Sequence, residues 1–221
     1  MKILFLGTGA ADFPQEKCEN FRRTSSALID DTFLIDPGPW VLDAINEFKV
    51  DIKKIKYVLV THYHDDHFNE DTLKFLENQG AKLLTIPCGS EIEIDGYKIM
   101  SLKGNHTIPV CHFIFEKDEK RLFYGLDGAW LQFEEIDAIW TRGVDLAVFD
   151  ATIGFVEGDW RVFEHNSLNM VLEMKKSINK SIKKYVISHM AYTLHTDHDT
   201  LEKEMKKHDI TVAYDGLTLE V

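Results

Sequence analysis

The sequence of 221 residues predicts an α+β fold, because strand-like and helix-like patterns are mixed along the whole chain. Short apolar runs such as KILFLG, DLAVFDA and KKYVISH are bounded by Gly, Pro, Asp or charged residues, as buried strands are. Other runs are joined by tight charged turns that favour antiparallel hairpins. Apolar residues at helical spacing occur between them. Two mixed β-sheets accompanied by helices are therefore expected.

The first part of the chain is predicted to form a β-meander followed by alternating helices and strands. The runs at 2–7 and 25–36 have strand patterns, and 41–50 has helical spacing. A buried strand is expected within 54–62 and a helix over 70–79. Asn69 precedes that helix and Gly80 follows it, and these residue types commonly begin and end helices. The polar residues around position 64 therefore lie in a strand-to-helix loop.

The remainder of the chain adds hairpins, strands and two further helices. Hairpins are expected where EIEI and YKIMSL flank Asp95-Gly96, and where a charged turn joins HFIFE to RLFYGL. Strands are predicted at 145–151 and 183–189, with helices at 168–178 and 200–208. A final hairpin is predicted over 210–221, turning at Asp215-Gly216. With no repeat or flexible linker in the pattern, residues 1–221 are expected to form one domain.

Composition limits the classes of partner. The formal net charge of −12 argues against a broad basic surface for long nucleic acids. The N-terminal apolar stretch is too short for a membrane span and lacks a signal cleavage pattern, so a cytoplasmic protein with no membrane partner is expected. A homodimer is a further possibility. The cysteines Cys18, Cys88 and Cys111 are widely spaced and odd in number, which favours ordinary reduced thiols.

The segment THYHDDHF contains a dense group of potential metal ligands. His62, His64, Asp66 and His67 fall within six residues directly after a buried strand. Imidazole nitrogens and carboxylate oxygens suit zinc, and also manganese or iron. A solvated polar loop would explain one or two of these histidines but poorly explains three beside an aspartate. The segment therefore predicts adjacent metal positions at one strand end.

Single polar residues end three later apolar runs in the same way. His106 follows IMSLKGN, Asp127 follows RLFYGL and His189 follows KYVIS. Each alone is as consistent with a structural polar residue at a strand end, but their recurrence favours a shared site at one sheet edge.

The series HxHxDH followed by His, Asp and His resembles the signature of the metallo-β-lactamase superfamily. This resemblance implies a four-layer αββα sandwich in which two facing sheets are flanked by helices, with two divalent metal ions at one edge. It implies a first metal held by His62, His64, His106 and Asp127. A second metal would be held by Asp66, His67, Asp127 and His189, with Asp127 bridging.

Further segments resemble the PhnP-like cyclic phosphodiesterase branch of that superfamily, including FLGTGAA, LIDPGP, YGLDGAW, EHNSLNMVL and AYDGLTLEV. In that branch a histidine near the metals contacts substrate phosphate, and His165 of EHN corresponds to it. Asp66 and His165 are therefore the predicted catalytic residues. A histidine of the branch is replaced here by Tyr192, and His195 follows closely, so both join His165 as predicted substrate-binding residues. The cysteine-rich insertion of the branch is missing here.

The resemblance implies hydrolysis of a small cyclic or nucleotide-like phosphodiester by a metal-bridged hydroxide, with His165 stabilising phosphoryl charge or protonating the leaving oxygen. A lactonase or thioesterase of the same superfamily is the alternative, because one fold supports many substrates. A tRNA-processing nuclease is less favoured, since no basic arm is present. A non-hydrolytic metal-binding or redox scaffold is the alternative outside enzymes.

Four other features of the sequence have ordinary structural interpretations. Gly7 and Gly9 in GTGAAD lack the rest of a nucleotide-binding motif and are interpreted as turn residues. Arg22 and Arg23 are expected to face solvent, although they could approach a phosphate. His112 and His208 belong to no cluster and are expected to be structural or exposed.

Overall fold

The computed structural model describes residues 1–14 and 16–221, and it divides them into two compact units. The first unit comprises Met1–Thr85 with Ala213–Glu220, and the second comprises Ile86–Val212 with Val221. Each unit contains one mixed β-sheet together with helices. The predicted α+β class is therefore confirmed, while the prediction of a single domain stays a prediction.

The first unit is built on a six-stranded sheet in the order β13-β1-β2-β3-β4-β5, with two helices. Its elements are β1 (Lys2–Gly7), β2 (Ser26–Ile29), β3 (Phe33–Ile35), α1 (Val41–Glu47), β4 (Tyr57–Leu59), α2 (Glu70–Asn78), β5 (Lys82–Leu83) and β13 (Thr218–Glu220). Strands β1 to β3 form the predicted antiparallel meander. Leu28, Leu34, Val58 and Leu76 pack in its core. Strands β3 and β4 run parallel, so their C-terminal ends meet at one edge.

The second unit is built on a seven-stranded sheet in the order β12-β11-β10-β9-β8-β7-β6. Its elements are β6 (Glu91–Ile94), β7 (Tyr97–Lys103), β8 (Cys111–Lys117), β9 (Lys120–Gly125), α3 (Phe133–Arg142), β10 (Val144–Asp150), α4 (Leu168–Ile178), β11 (Ile182–Ser188), α5 (His198–Lys206) and β12 (Ile210–Val212). Strands β9, β10, β11 and β12 are parallel neighbours. Their carboxyl ends therefore lie at the same sheet edge.

Locally encoded elements agree with the sequence. Helix α4 spans the predicted 168–178, and Asn69 caps α2 by accepting a hydrogen bond from the Thr72 amide at 2.9 Å. Both central hairpins form, at β6–β7 and β8–β9. Each of these features depends on a turn, cap or periodicity within a few residues.

The predicted C-terminal hairpin is wrong. Strand β12 pairs with β11 of the second unit, whereas β13 pairs with β1 of the first. The turn between them is held by β1 instead, since the Gly216 amide donates to the Phe5 carbonyl at 2.8 Å. The Asp215 side chain accepts from Thr8 and from the Arg23 amide. These long-range bonds outweigh the local preference of an Asp-Gly turn for a hairpin.

Helix α3 was not predicted from the sequence, although its signal is present. Glu135 accepts a hydrogen bond from the Gln132 amide at 2.7 Å, as in a capping box, and Gly143 ends the helix at a positive φ of 68°. The segment QFEE, which precedes an apolar run, is the pattern that predicts the start of this helix.

The prediction of reduced thiols is wrong for Cys88 and Cys111, which form a disulfide with Cα atoms 5.7 Å apart. The Gly89 amide donates to the Ser101 carbonyl of β7, and β7 pairs with β8, which begins at Cys111. This pairing brings together two cysteines that are 23 residues apart. Cys18 is an exposed free thiol. The cytoplasmic location stays a prediction.

Two smaller expectations are also corrected. Gly7 and Gly9 are not turn residues: Gly7 ends β1, and a Cβ there would lie 2.9 Å from the Arg23 carbonyl oxygen. Close packing of two backbone segments therefore requires glycine at position 7. Arg23 does not face solvent, because only 4% of its surface is exposed and it pairs with Asp43 and Glu47. Arg22 bonds to the Ala213 carbonyl at 2.7 Å.

Across 1–14 and 16–221, the helices are all too short or too polar to cross a membrane.

Candidate metal centre

The THYHDDHF loop follows β4 and places its histidines side by side in the first unit. The His62 Nδ1 lies 3.0 Å from the Thr61 hydroxyl, and its Nε2 lies 2.9 Å from the His64 Nδ1. The His67 Nε2 lies 3.3 Å from an Asp66 carboxylate oxygen. The rings of His62 and His67 are 4.5 Å apart. The four predicted ligands of this loop are therefore brought together.

A buried carboxylate at the end of β3 holds this loop in place. Asp36 accepts hydrogen bonds from the Thr61 amide at 2.7 Å, from the Thr61 hydroxyl and from the His67 Nδ1 at 2.8 Å. Complete burial raises the pKa of Asp36, and this effect exceeds the lowering by His67 and Thr61. The adjacent parallel strands β3 and β4 place Asp36 directly beside the histidine loop.

A second cluster forms in the second unit at the ends of β9, β10 and β11. The nearer Asp127 carboxylate oxygen lies 3.2 Å from the His189 Nε2 and 3.2 Å from the His165 Nδ1. The rings of His165 and His189 are stacked 5.5 Å apart, and the ring of His106 lies 5.0 Å from that of His165. Asp127, Asp150, His165 and His189 present ligand atoms close enough together to hold a metal ion.

Asp150 is the buried centre of this second cluster. Its carboxylate accepts from the backbone amides of Asp127 at 3.1 Å, Thr152 at 2.9 Å and Asn166 at 3.0 Å. The His165 Nδ1 lies 3.0 Å from the same carboxylate. Burial raises the pKa of Asp150, but His165 and His189 outweigh it and hold this pKa below its ordinary value. Asp150 is therefore an anion that orients the residues around it.

Four of the histidines, His62, His67, His106 and His189, share one mode of orientation, in which Nδ1 bonds to a neighbouring protein group that is not itself a predicted ligand. His62 uses Thr61, His67 uses Asp36, His189 uses the Thr152 hydroxyl at 2.8 Å, and His106 donates to the Glu164 carbonyl at 3.0 Å. In the first three, Nε2 then points at another predicted ligand of the same unit. Metal-binding histidines commonly hold their second ring nitrogen in this way.

Three residues of these clusters have an uncommon backbone conformation. The φ angles are 61° for Asp36, 55° for Asp127 and 60° for His189. Asp36 and His189 directly follow a strand, and Asp127 is the second residue after one. Asp and His tolerate this left-handed region better than most residues, yet it costs free energy. Such backbone strain concentrates at functional sites.

Comparison with known proteins agrees with this geometry. The family model of the metallo-β-lactamase superfamily matches residues 20–69, which include Asp36 and the histidine loop. No curated protein sequence matches the chain at a significant level. Among the solved structures that resemble it over all of its length are three with TM-scores above 0.75. They are the metallo-β-lactamase fold protein YhfI from Bacillus subtilis (17% identity, 99% of that chain covered, TM-score 0.79), a diphosphatase from the PhnP family (19%, 97%, 0.76) and Zn²⁺-bound PqqB from Methylobacterium extorquens (17%, 100%, 0.77).

This is the metallo-β-lactamase fold. The resemblance found in the sequence is confirmed, and the PhnP family is represented among the proteins that share the fold. At these identities the likeness establishes the fold, while the assignment of ligands stays a prediction.

The donor chemistry of both clusters fits divalent metal ions. Imidazole nitrogens and carboxylate oxygens are ligands for zinc, manganese and iron, and a carboxylate of low pKa such as Asp150 favours nearby cations. Two nitrogens about 2.0 Å from one tetrahedral zinc ion lie about 3.3 Å apart, so the His62 Nε2 and the His64 Nδ1, which are 2.9 Å apart, would separate by a few tenths of an ångström on binding one. The side chains of both clusters are thus compatible with metal binding.

The predicted substrate-binding residues differ in their surroundings. His165 turns its Nδ1 toward Asp150, Asp127 and the Thr152 hydroxyl, which places its other nitrogen on the opposite side of the ring. The His195 Nε2 donates to the Ala151 carbonyl at 2.7 Å, which supports the loop after β11. Tyr192 is exposed in the same loop. Their roles toward a substrate stay predictions.

His112, expected to be structural or exposed, is buried beneath the cluster-bearing loops. Its Nε2 donates to the Leu126 carbonyl at 2.9 Å and its Nδ1 lies 2.5 Å from the Glu135 carboxylate. A Cβ on Gly104 or Gly128 would collide with its ring. His112 therefore supports both the loop of His106 and the loop of Asp127.

Asp36, Asp150 and Thr152 were missed by the sequence analysis. Asp36 lies in LIDPGP and Asp150 ends DLAVFD, so both are polar residues at strand ends, the same signal that identified Asp127 and His189. Their role is to orient histidines, which depends on hydrogen bonds that the sequence does not display.

His165 gives a pH-dependent prediction for the metal-free protein. Burial lowers its pKa, but Asp150, Asp127 and Glu164 raise it more, to about 9 from 6.5. Protonated His165 therefore stabilises the fold fully below pH 6.5, and this contribution is lost as the pH rises through about 9. Near pH 6, the free energy of unfolding of the wild type should exceed that of His165→Gln by on the order of 2 kcal/mol.

Urea unfolding of both proteins between pH 6 and pH 10 would measure this difference. A gap between wild type and variant that stays constant over that range would contradict a raised pKa for His165.

Proposed function

We propose that this protein is a metal-dependent hydrolase that cleaves a small phosphodiester, cyclic or nucleotide-like. The observation that supports this proposal best is the shared orientation of four histidines, whose Nδ1 atoms bond to Thr61, Asp36, Thr152 and the Glu164 carbonyl. Hydrogen bonds of this kind prepare the second ring nitrogen for a metal ion.

The proposed ligand set is the one that the family resemblance implies. Its members are His62, His64, Asp66, His67, His106, Asp127 and His189. Two divalent metals are proposed, with zinc or manganese favoured by the donor set and iron as an alternative. When bound, such metals activate water at neutral pH and neutralise phosphoryl charge.

The residues of the chain itself then position the substrate and move protons. Asp150 orients His165 and His189, since its carboxylate lies 3.0 Å from the His165 Nδ1 and 3.5 Å from the His189 Nδ1. The second nitrogen of His165 can donate to a phosphoryl oxygen or to the leaving oxygen. Asp66, held 3.3 Å from the His67 Nε2, is the proposed carboxylate partner of the attacking water.

The position of His165 favours a phosphodiester over the alternative lactone or thioester. A phosphodiester is an anion whose phosphoryl oxygens accept hydrogen bonds from such a donor in both ground and transition states, whereas a lactone or thioester is neutral. A structural relative of this chain is described as a diphosphatase, which is compatible with phosphoryl chemistry. A cytoplasmic location, a small-molecule partner and a homodimer stay predictions.

Hydrolysis of bis(p-nitrophenyl) phosphate by metal-analysed protein tests the proposal. We expect turnover that appears on loading with manganese or zinc and falls more than about 100-fold in Asp66→Ala. Asp65→Ala is the matched control, because Asp65 is the neighbouring exposed carboxylate of the same loop and is expected to keep activity within about twofold.

If the metal-loaded protein hydrolysed a lactone or thioester and did not hydrolyse the phosphodiester, the phosphodiesterase would be rejected and a lactonase or thioesterase supported. Protein that binds no divalent metal would contradict the proposal altogether.

A further inference from the structure

A cavity of about 430 Å³ opens in the second unit, among residues of the segments that follow Asp127 and His165. Its wall is mainly apolar and includes the side chains of Asn105, Trp130, Val156, Phe163, Ser167 and Met170. This volume lies within the range of small-ligand sites, which are typically apolar with a few polar groups.

The cavity is lined by residues that lie close in sequence to His106, Asp127 and His165. Asn105 directly precedes His106, and Ser167 lies two residues beyond His165. The Trp130 amide donates to the Asn166 side chain at 2.8 Å, and the Asn105 side chain donates to the Ala129 carbonyl at 2.7 Å. The wall is thus tied by short bonds to the segments that carry His106 and His165.

Trp130 is held in a conformation that its own chemistry disfavours. Its φ angle is 53°, in the left-handed region that bulky residues rarely adopt, and its side chain is 45% exposed. Glycine or asparagine would occupy this backbone at lower cost. A strained aromatic residue on a cavity wall beside a catalytic cluster indicates that the ring has a use there.

The chemistry of the wall restricts what it can bind. Of the lining residues that the structure describes, Glu157 alone carries a charge, so the cavity offers no cation to a second phosphate. Phe163 is 82% exposed and adds a second aromatic side chain to the lining of the same cavity. Aromatic side chains bind planar rings by stacking, with little dependence on which base is bound.

We propose that this cavity binds a planar aromatic part of the substrate, a nucleobase or aryl group, while the phosphodiester lies at His165. This inference rests on the proposed function and narrows its substrate class to esters that carry an aromatic ring. Trp130 and Phe163 are then specificity-determining residues that contact the ring and leave bond cleavage to the metal-binding cluster.

Equilibrium binding separates this inference from catalysis. By calorimetry, manganese-loaded protein should bind thymidine 5′-phosphate about tenfold more tightly than deoxyribose 5-phosphate, which has the same phosphate and no base. Trp130→Gly should remove this preference without unfolding the protein, because glycine relieves the positive φ. Trp160→Ala is the matched control. Trp160 is an exposed tryptophan (68%) in the same segment as Phe163, and it does not line the cavity.

Kinetics with a constant leaving group give the second measurement. The methyl ester of thymidine 5′-phosphate should be hydrolysed with a KM about tenfold lower than that of the methyl ester of deoxyribose 5-phosphate, which has the same leaving group and no aromatic ring, and Phe163→Ala should reduce this difference. Equal binding of the two sugar phosphates by the wild type would overturn the inference, whether or not either ester is hydrolysed. Hydrolysis of neither ester, with the binding preference intact, would reject the proposed phosphodiesterase and retain the aromatic site.

Discussion

Replacing Asp127 by alanine is expected to abolish metal-dependent phosphodiester hydrolysis, with a loss of more than about 100-fold in kcat/KM. Asp127 lies in the loop after β9, at the sheet edge where β9, β10 and β11 end. Its carboxylate is 3.2 Å from both His165 and His189. In the proposed ligand set it is the one residue shared by both metals. Its removal should therefore lower the number of bound metals from about two to about one or fewer.

Metal analysis and turnover of bis(p-nitrophenyl) phosphate measured on the same preparation would check this result. Asp137→Ala is the matched control, because Asp137 is an exposed aspartate on α3, ten residues further along the chain. A variant of Asp127 that keeps two metals and full activity would remove Asp127 from the ligand set and with it the bridged arrangement.

Replacing Asp150 by alanine is expected to lower the free energy of unfolding by about 3–5 kcal/mol. Its carboxylate is fully buried and accepts from the amides of Asp127, Thr152 and Asn166 and from His165. Alanine would leave these amides without an acceptor and would leave Asp127 as the remaining carboxylate beside the His165 imidazole. For a chain of this length the melting temperature should fall by roughly 6–20 °C.

Thermal unfolding monitored by circular dichroism, in metal-free buffer, measures this loss. Asp150→Asn is the informative companion, because it keeps the volume and one oxygen acceptor but removes the charge. It should lose less stability than Asp150→Ala, and it should lower the pKa of His165 toward its ordinary value. A melting temperature of Asp150→Ala within about 2 °C of the wild type would show that Asp150 does not organise the cluster.

Much of the secondary structure could be predicted from the sequence because it is encoded locally. The β1–β3 meander, the Asn69 cap and helix α4 depend on turns, caps and periodicity within a few residues. The dense HxHxDH segment also indicates a metal site without knowledge of the fold. Helix α3 was not predicted, yet it too is encoded locally, by the capping box at its start.

Other features were decided by tertiary structure, because they depend on which distant segments pair. The Asp215-Gly216 turn looks like a hairpin, yet its flanking strands join different sheets. The Cys88–Cys111 disulfide joins residues 23 positions apart, and only the pairing of β7 with β8 brings them into reach. The sequence by itself identified the histidines and Asp127 as residues that can bind metal. The tertiary structure alone showed that buried Asp36 and Asp150 orient them, because a carboxylate in the interior is defined by the donors that surround it.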